Sequence, residues 1–202
     1  MPFKARRIVR IIGGDQTHRT WLLALGGLVL PSLSYAQSSE NLAVAEYTSA
    51  DELVLPADID TWIALGSNIG GDYADGEFDA ENPGAIGVVQ MEPSAYRFFV
   101  ENGRYANGTM LLLSFFQTQQ KPQPALRGFV QGDLSAREMH VIDRDKYVGE
   151  RAFYMFPVGL ESSPRLVADA ECVECHGEHG ALDSTFIQFY PAIRDLVADR
   201  EE

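Results

Sequence analysis

The stretch Cys172-Val173-Glu174-Cys175-His176 contains both cysteines of the 202-residue chain and places a histidine directly after the second one. Two thiols separated by two residues can each add to one vinyl group of a haem, and the following histidine can bind the iron. Cys-x-x-Cys alone is also compatible with a disulfide, or with a zinc site that includes His179. The five-residue pattern is typical of haem c. We therefore predict one covalently attached haem c, with His176 as the proximal iron ligand.

Bacterial cytochromes receive covalent haem outside the cytoplasm, so the chain should begin with an export signal. Residues 1–36 fit a signal peptide, because basic side chains precede the apolar run 21–30 and Ser34-Tyr35-Ala36 resembles a cleavage site. A transmembrane anchor is the alternative, but the run is shorter than the roughly 20 residues that span a bilayer. We predict cleavage after Ala36 and a periplasmic protein that leaves the membrane.

The chain after residue 36 is strongly acidic. Residues 1–36 hold five of the 16 Lys and Arg residues and one of the 29 Asp and Glu residues, so the remainder has a formal charge of −17. Such a surface repels nucleic acid and anionic lipid, and it suits a basic redox partner. The length predicts one domain, with a flexible segment at 37–50 and a haem domain at 51–202.

Apolar runs separated by turn signals predict an α+β fold. Short connections favour a mainly antiparallel sheet packed with helices. Strands are expected at 61–67, 85–91, 109–116, 127–132, 136–142 and 152–157, with loops at 70–84 and 117–124 and a tight turn near Gly132-Asp133. Helices are expected at 92–103, at 165–176, which would carry the haem motif, and at 184–198.

The order of several short motifs resembles the cytochrome P-460 family from about residue 45 to 196. The motifs are Trp62…Gly66, Glu92-Pro93-Ser94-Ala95-Tyr96, Gly103…Asn107-Gly108-Thr109, Gly132-Asp133…Glu138, the haem motif and Phe186-x-x-Phe189-Tyr190-Pro191. The last motif is the most specific, because haem motifs occur in many folds. The resemblance implies an antiparallel sheet with helices, usually in a homodimer.

The family has two branches that differ in the haem pocket. In cytochrome P-460 itself a lysine is bonded to the haem and the protein oxidises hydroxylamine. The cytochrome c′-beta branch lacks this bond, has a largely apolar distal side, and binds nitric oxide (NO) and carbon monoxide. In this chain Leu113 stands at the lysine position and Gly87 at the position of a distal arginine. Neither Lys121 nor Lys146 matches the cross-link site, so the chain resembles the c′-beta branch more closely.

The resemblance to the family also implies one polar residue in the distal pocket, because Glu138 matches a distal carboxylate near the open side of the iron. If Glu138 points there, strand alternation puts Ala136 and His140 on the same face. Both Glu138 and His140 could then move protons or hydrogen-bond a ligand. The alternative is an outward, solvated face. Leu113 and Phe115 would share a strand face and screen the distal pocket.

Three functions are compatible with these features. The leading one is a mono-haem cytochrome with an open apolar site for a gaseous ligand such as NO. The second is a hydroxylamine-oxidising enzyme with Glu138 as proton acceptor, and the third is an electron carrier with a strong sixth iron ligand. Chemically suitable sixth ligands are Met91, Met110, Met139, Met155, His140 and His179. Methionine in a strand is more often core than ligand, so an open or water-occupied position is expected.

Overall fold

A computed structural model describes residues 42–70, 79–121 and 127–198, all within one compact unit that spans residues 39–202. The predicted signal peptide and most of the predicted loop at 70–84 lie outside the described residues, as do residues 37–41 of the predicted flexible segment and 122–124 of the predicted loop 117–124. None of the described helices is long and apolar enough to cross a membrane.

A five-stranded antiparallel sheet, with strand order β2-β3-β4-β5-β6, is the main element of the described fold. The strands are β1 (Leu53–Val54), β2 (Ile63–Ile69), β3 (Ala85–Met91), β4 (Thr109–Gln120), β5 (Phe129–Ile142), β6 (Arg151–Pro157) and β7 (Ser162–Ser163). The α-helices are α1 (Pro93–Asn102), α2 (Glu171–His179) and α3 (Pro191–Ala198). Strands β1 and β7 form a separate two-stranded sheet. The predicted α+β fold with a mainly antiparallel sheet is confirmed.

Helix α1 begins where its sequence predicts. The buried Glu92 carboxylate accepts hydrogen bonds from the backbone N–H groups of Ser94 and Ala95 at 2.9 and 2.8 Å, which satisfies two donors that a helix start leaves open. Pro93 occupies the first turn, where its missing N–H costs nothing. Gly103 ends the helix in the left-handed conformation, with φ of 63°.

Alternate side chains of the large sheet point to two different cores. We call one side the closed face; its buried cluster includes Trp62, Met110, Leu112, Met139 and Tyr154. The other side, the cavity face, carries a second cluster that extends to α1, to the 3₁₀ turn Ile187–Phe189 and to α3. The strand period of two explains why neighbours such as Leu111 and Leu112 belong to different clusters.

Two predictions about the central hairpin were wrong. Strand β4 does not end at residue 116 but continues to Gln120, because backbone pairing with the start of β5 needs no apolar side chains. Strand β5 is one 14-residue strand, without a turn at Gly132-Asp133. Register shifts on either side of Phe116 absorb the extra residues as bulges, which are a common use of glycine within a strand.

The C-terminal helices are shorter than predicted. Helix α2 begins at Glu171 rather than at 165, because Arg165 forms a bridge with Tyr154 and the Leu166 N–H donates to the Phe153 carbonyl beside β6. The predicted helix at 184–198 is also interrupted. Residues 187–189 form a 3₁₀ turn and α3 starts at Pro191, since proline disfavours helical geometry in the residue before it.

Candidate functional site

A cavity of about 340 Å³ lies between the cavity face of the sheet and the C-terminal segments. Aliphatic and phenylalanine side chains supply more than half of its lining residues. Both cysteines and His176 line it, together with the four positions predicted for a distal pocket: Leu113, Phe115, Glu138 and His140. The fold thus brings every predicted site residue to one cavity. A volume of this size is within the range of small-molecule and cofactor sites.

Helix α2 presents Cys172, Cys175 and His176 to the cavity on a single side, because residues three and four apart are neighbours on a helix surface. Both cysteines are free thiols. Cys172 is half-buried, and burial, assisted by the negative charge of Glu138, raises its pKa. Cys175 is exposed at the edge of the cavity.

The His176 ring is held in one tautomer. Its Nδ1 lies 2.7 Å from the backbone oxygen of Ser184, and because a carbonyl only accepts, Nδ1 must carry the proton and donate. The lone pair is then on Nε2. Phe153 and Phe186 pack against the ring, with centres 4.8 and 4.6 Å away. Burial lowers the pKa of His176, which favours the neutral imidazole that a metal ion requires.

Residues 180–185, which we call the proximal loop, bring the Ser184 carbonyl to this position. The backbone N–H of Gly180 donates to the His176 carbonyl, that of Ala181 donates to the Thr185 carbonyl, and that of Thr185 donates to the Leu182 carbonyl. A side chain at Gly180 would place Cβ only 2.6 Å from the His176 oxygen and from Ser184. Glycine is therefore needed at the junction of α2 and the loop.

The side chains around the Cys-x-x-Cys-His motif distinguish its three possible roles, which are a disulfide, a zinc site and a haem attachment site. The two thiols do not form a disulfide. No three His, Cys, Asp or Glu side chains converge on a possible metal site within the described ranges, and the side chain of His179 is 61% exposed and does not line the cavity. Two free thiols, a neutral imidazole with Nε2 available and an apolar cavity fit a haem.

Glu138 and Leu113 are direct partners across β4 and β5, and Phe115 follows on the same face. Glu138 is half-buried, lines the cavity and is close enough to Cys172 for its charge to affect the thiol pKa. The structure therefore places this carboxylate at the cavity rather than on an outward face, among mostly apolar neighbours.

His140 is buried beside His176. Its ring stacks on Phe153 at 4.2 Å between centres, and its edge faces His176 at 5.9 Å. Burial, with smaller contributions from His176 and Arg151, lowers its pKa well below the usual value for histidine. Its Nε2 is one of the few buried side-chain nitrogens in the described ranges without a hydrogen-bond partner.

Several residues that line the cavity were not predicted from the sequence. Asn68 belongs to no recognisable sequence motif, but it lines the cavity. Its side-chain oxygen accepts a 3.1 Å hydrogen bond from the backbone N–H of Gly87. A Cβ on Gly87 would lie 2.2 Å from that oxygen, so the position that resembles a distal arginine site is covered by Asn68. Tyr105 and Thr185 also line the cavity and share a 3.0 Å hydrogen bond. These cavity residues could have been found only from the register between strands and from loop contacts, which the sequence does not specify.

Neither lysine after residue 36 reaches the cavity. Lys146 forms an ion pair with Asp51 at 2.7 Å and lies over the Tyr47 ring, while Lys121 is exposed at the end of β4. Three of the predicted alternative iron ligands, Met91, Met110 and Met155, are also absent from the cavity lining. Met139 contributes to the lining, but its side chain belongs to the closed-face cluster.

Comparison with known families gives one match. Residues 58–187 match the family described as Cytochrome P460. No curated protein matches the chain. The matched segment covers more than half of the chain and contains the large sheet, the Cys-x-x-Cys-His motif and the proximal loop. The protein therefore belongs to the cytochrome P460 family, which implies a haem cofactor.

Proposed function

We propose that this protein is an exported mono-haem c-type cytochrome that binds a small neutral gas such as NO or carbon monoxide. In this proposal Cys172 and Cys175 hold the haem covalently and His176 Nε2 binds the iron. The supporting observation is the shared cavity: the thiols and imidazole of α2 face strand β4, where Leu113 and Phe115 present apolar side chains and no lysine. This lining is why we favour the c′-beta branch.

The bound haem would supply an iron with an open coordination position. The residues of the chain determine which molecules reach it. An apolar lining disfavours anions, because a charged ligand would lose its hydration without compensation, whereas a neutral diatomic molecule loses little. The Ser184 carbonyl fixes the orientation of His176, and Phe153 and Phe186 pack against its ring.

Covalent attachment is tested by expression with a cytochrome c maturation system and denaturing electrophoresis with haem staining. We expect the wild type to keep one haem per chain. Cys172→Ser and Cys175→Ser should each give a haem with one thioether bond, visible as a shifted pyridine haemochrome band, and the double variant should lose its haem on denaturation. A wild type that releases all of its haem would contradict the proposal.

A hydroxylamine-oxidising enzyme is the second candidate, and the presence of Glu138 among the cavity-lining residues supports it. A positioned general base typically contributes about 100-fold or more to a rate. If the protein turns over hydroxylamine, Glu138→Gln should lower the rate by about that factor while haem content stays unchanged. A wild type without turnover would remove this candidate.

An electron carrier with a protein sixth ligand has less support. Met91, Met110 and Met155 do not line the cavity, and the buried ring of His140 stacks on Phe153 at 4.2 Å between centres. We propose that the acidic protein resides in the periplasm as a homodimer and meets a basic redox partner. Light scattering of the purified protein tests the dimer, and fractionation tests the location.

A further inference from the structure

The proximal loop has a strained backbone at the residues that orient His176. Asp183 and Ser184 both have positive φ, 46° and 57°, in the left-handed region that side chains other than glycine adopt at a cost. Ser184 is the residue whose carbonyl accepts the 2.7 Å hydrogen bond from His176 Nδ1. Two consecutive residues in this conformation persist only when surrounding contacts hold them.

Arg144 provides such a contact from a distant part of the sequence. It lies in the β5–β6 connection, and its Nη2 contacts both carboxylate oxygens of Asp183, at 3.1 and 3.0 Å. The side chains are 35% and 22% exposed, so solvent screens this ion pair only in part. The backbone N–H of Arg144 donates to the Asn107 side-chain oxygen at 2.6 Å, which ties the connection to the start of β4.

The loop is also held from inside the fold. The Thr185 hydroxyl donates to the Leu182 carbonyl at 2.8 Å and is hydrogen-bonded to the buried Tyr105 at 3.0 Å. Thr185 and Arg144 thus hold the loop on either side of Ser184. Thr185 is buried and would hold its place in any folded form of the protein, whereas Arg144 is the contact that lies at the surface.

The geometry points to Arg144 as a positioning residue for the iron ligand. By holding Asp183, Arg144 keeps the Ser184 carbonyl in the position where this carbonyl accepts the hydrogen bond from His176 Nδ1. This inference rests on the proposed attachment of haem to α2. Hydrogen bonding at Nδ1 makes a metal-bound imidazole more basic and fixes its orientation. Arg144 therefore strengthens the bond between His176 and the iron without touching either.

The test is the iron–histidine stretching band in the resonance Raman spectrum of the reduced holoprotein. We expect Arg144→Gln and Asp183→Asn to shift the band to lower wavenumber and to raise the reduction potential. Asparagine is chosen because it tolerates the left-handed conformation. Arg144→Lys, which keeps the charge, should restore part of the shift. The double variant should shift no further than either single one, because both remove the same contact.

Arg194→Gln is the matched control, since it removes an exposed ion pair with Asp195 that is 2.7 Å long and belongs to α3. It should leave the band and the potential unchanged. An unchanged band and potential in both Arg144→Gln and Asp183→Asn, with haem bound, would overturn the role of Arg144 and leave the proposed function intact. A wild type without covalent haem would overturn both.

Discussion

The two faces of the large sheet use the same strands for different purposes. On the closed face, Leu112, Met139 and Tyr154 are almost fully buried in a continuous apolar cluster. On the cavity face, their sequence neighbours Leu113, Glu138 and Phe153 line a space of about 340 Å³. Leu112, Met139 and Tyr154 also border the cavity, but their side chains belong to the closed-face cluster, so we expect substitutions one residue apart to affect stability and ligand binding to different degrees.

The polar groups on the two faces differ in the same way. On the closed face, the hydroxyl groups of Tyr47, Tyr147 and Tyr154 bond to one another, so their polar atoms are satisfied inside the fold. On the cavity face, His140 has a buried nitrogen without a partner and His176 keeps Nε2 available. An unsatisfied buried nitrogen is costly in a plain core, so the one in His140 is explained more readily beside a ligand cavity.

The largest effect is expected from a matched pair of substitutions in β4. Leu112→Ala should lower the free energy of unfolding by about 2–5 kcal/mol, because it leaves a cavity in the closed face. Leu113→Ala should cost about 1 kcal/mol, since this side chain is only half-buried and already borders open space. Urea unfolding of both holoproteins gives the comparison. Equal losses would contradict the division between the faces.

Ligand binding should show the opposite order for the same pair. Leu113→Ala enlarges the cavity beside the predicted ligand position, so the rate of NO binding should change. Leu112→Ala should change that rate less, because the Leu112 side chain belongs to the closed-face cluster. Stopped-flow spectroscopy measures both rates.

The next largest effect concerns the tyrosine hydroxyls. Tyr147→Phe should cost about 1–3 kcal/mol, because it removes a hydrogen-bond partner from the buried Tyr154 hydroxyl. Burial raises the pKa of Tyr154 to about 12 and also raises that of Tyr147.

The sign of the pH dependence follows from these raised values. The unfolded chain releases the phenol protons from about pH 10, before the folded protein does, so stability is complete below pH 10 and falls as the pH rises towards 12. Urea unfolding between pH 8 and 11 should show this decline in the wild type, and a weaker decline in Tyr147→Phe. A stability independent of pH across this range would contradict the buried hydroxyl chain.

The smallest effect on stability is expected at His140. Because its Nε2 has no partner, His140→Phe removes an unsatisfied buried group and should change the free energy of unfolding by no more than about 1 kcal/mol. Tyr105→Phe is the comparison, since it removes a hydroxyl that is hydrogen-bonded to Thr185 and should be the more destabilising change. A larger loss in His140→Phe would mean that its nitrogen has a partner in the holoprotein.

The sequence predicted the parts of the molecule that depend on local pattern. The α+β class, most strands and helix α1 follow from apolar periodicity, Pro93 and Gly103. The haem motif identified α2, although the helix begins six residues later than expected. The turn predicted at Gly132-Asp133 was wrong, because glycine there serves a bulge within one long strand.

What the sequence could not predict depends on contacts between distant residues. The link from Arg144 to Asp183 joins two loops that are 39 residues apart, and the contact between Asn68 and Gly87 depends on the register of β2 and β3. The left-handed conformation of Asp183 and Ser184 also has no local signal, since neither residue is glycine. These contacts arrange the site, and they become visible only in three dimensions.

The most direct test of the central claim is the resonance Raman spectrum of the reduced, purified holoprotein before and after addition of NO. If the cavity face holds a haem bound by His176 with an open apolar position, the iron is five-coordinate and high-spin, with ordinary c-type bands, and it binds NO. A six-coordinate, low-spin iron that does not respond to NO would mean that a side chain occupies the position, and would contradict the account.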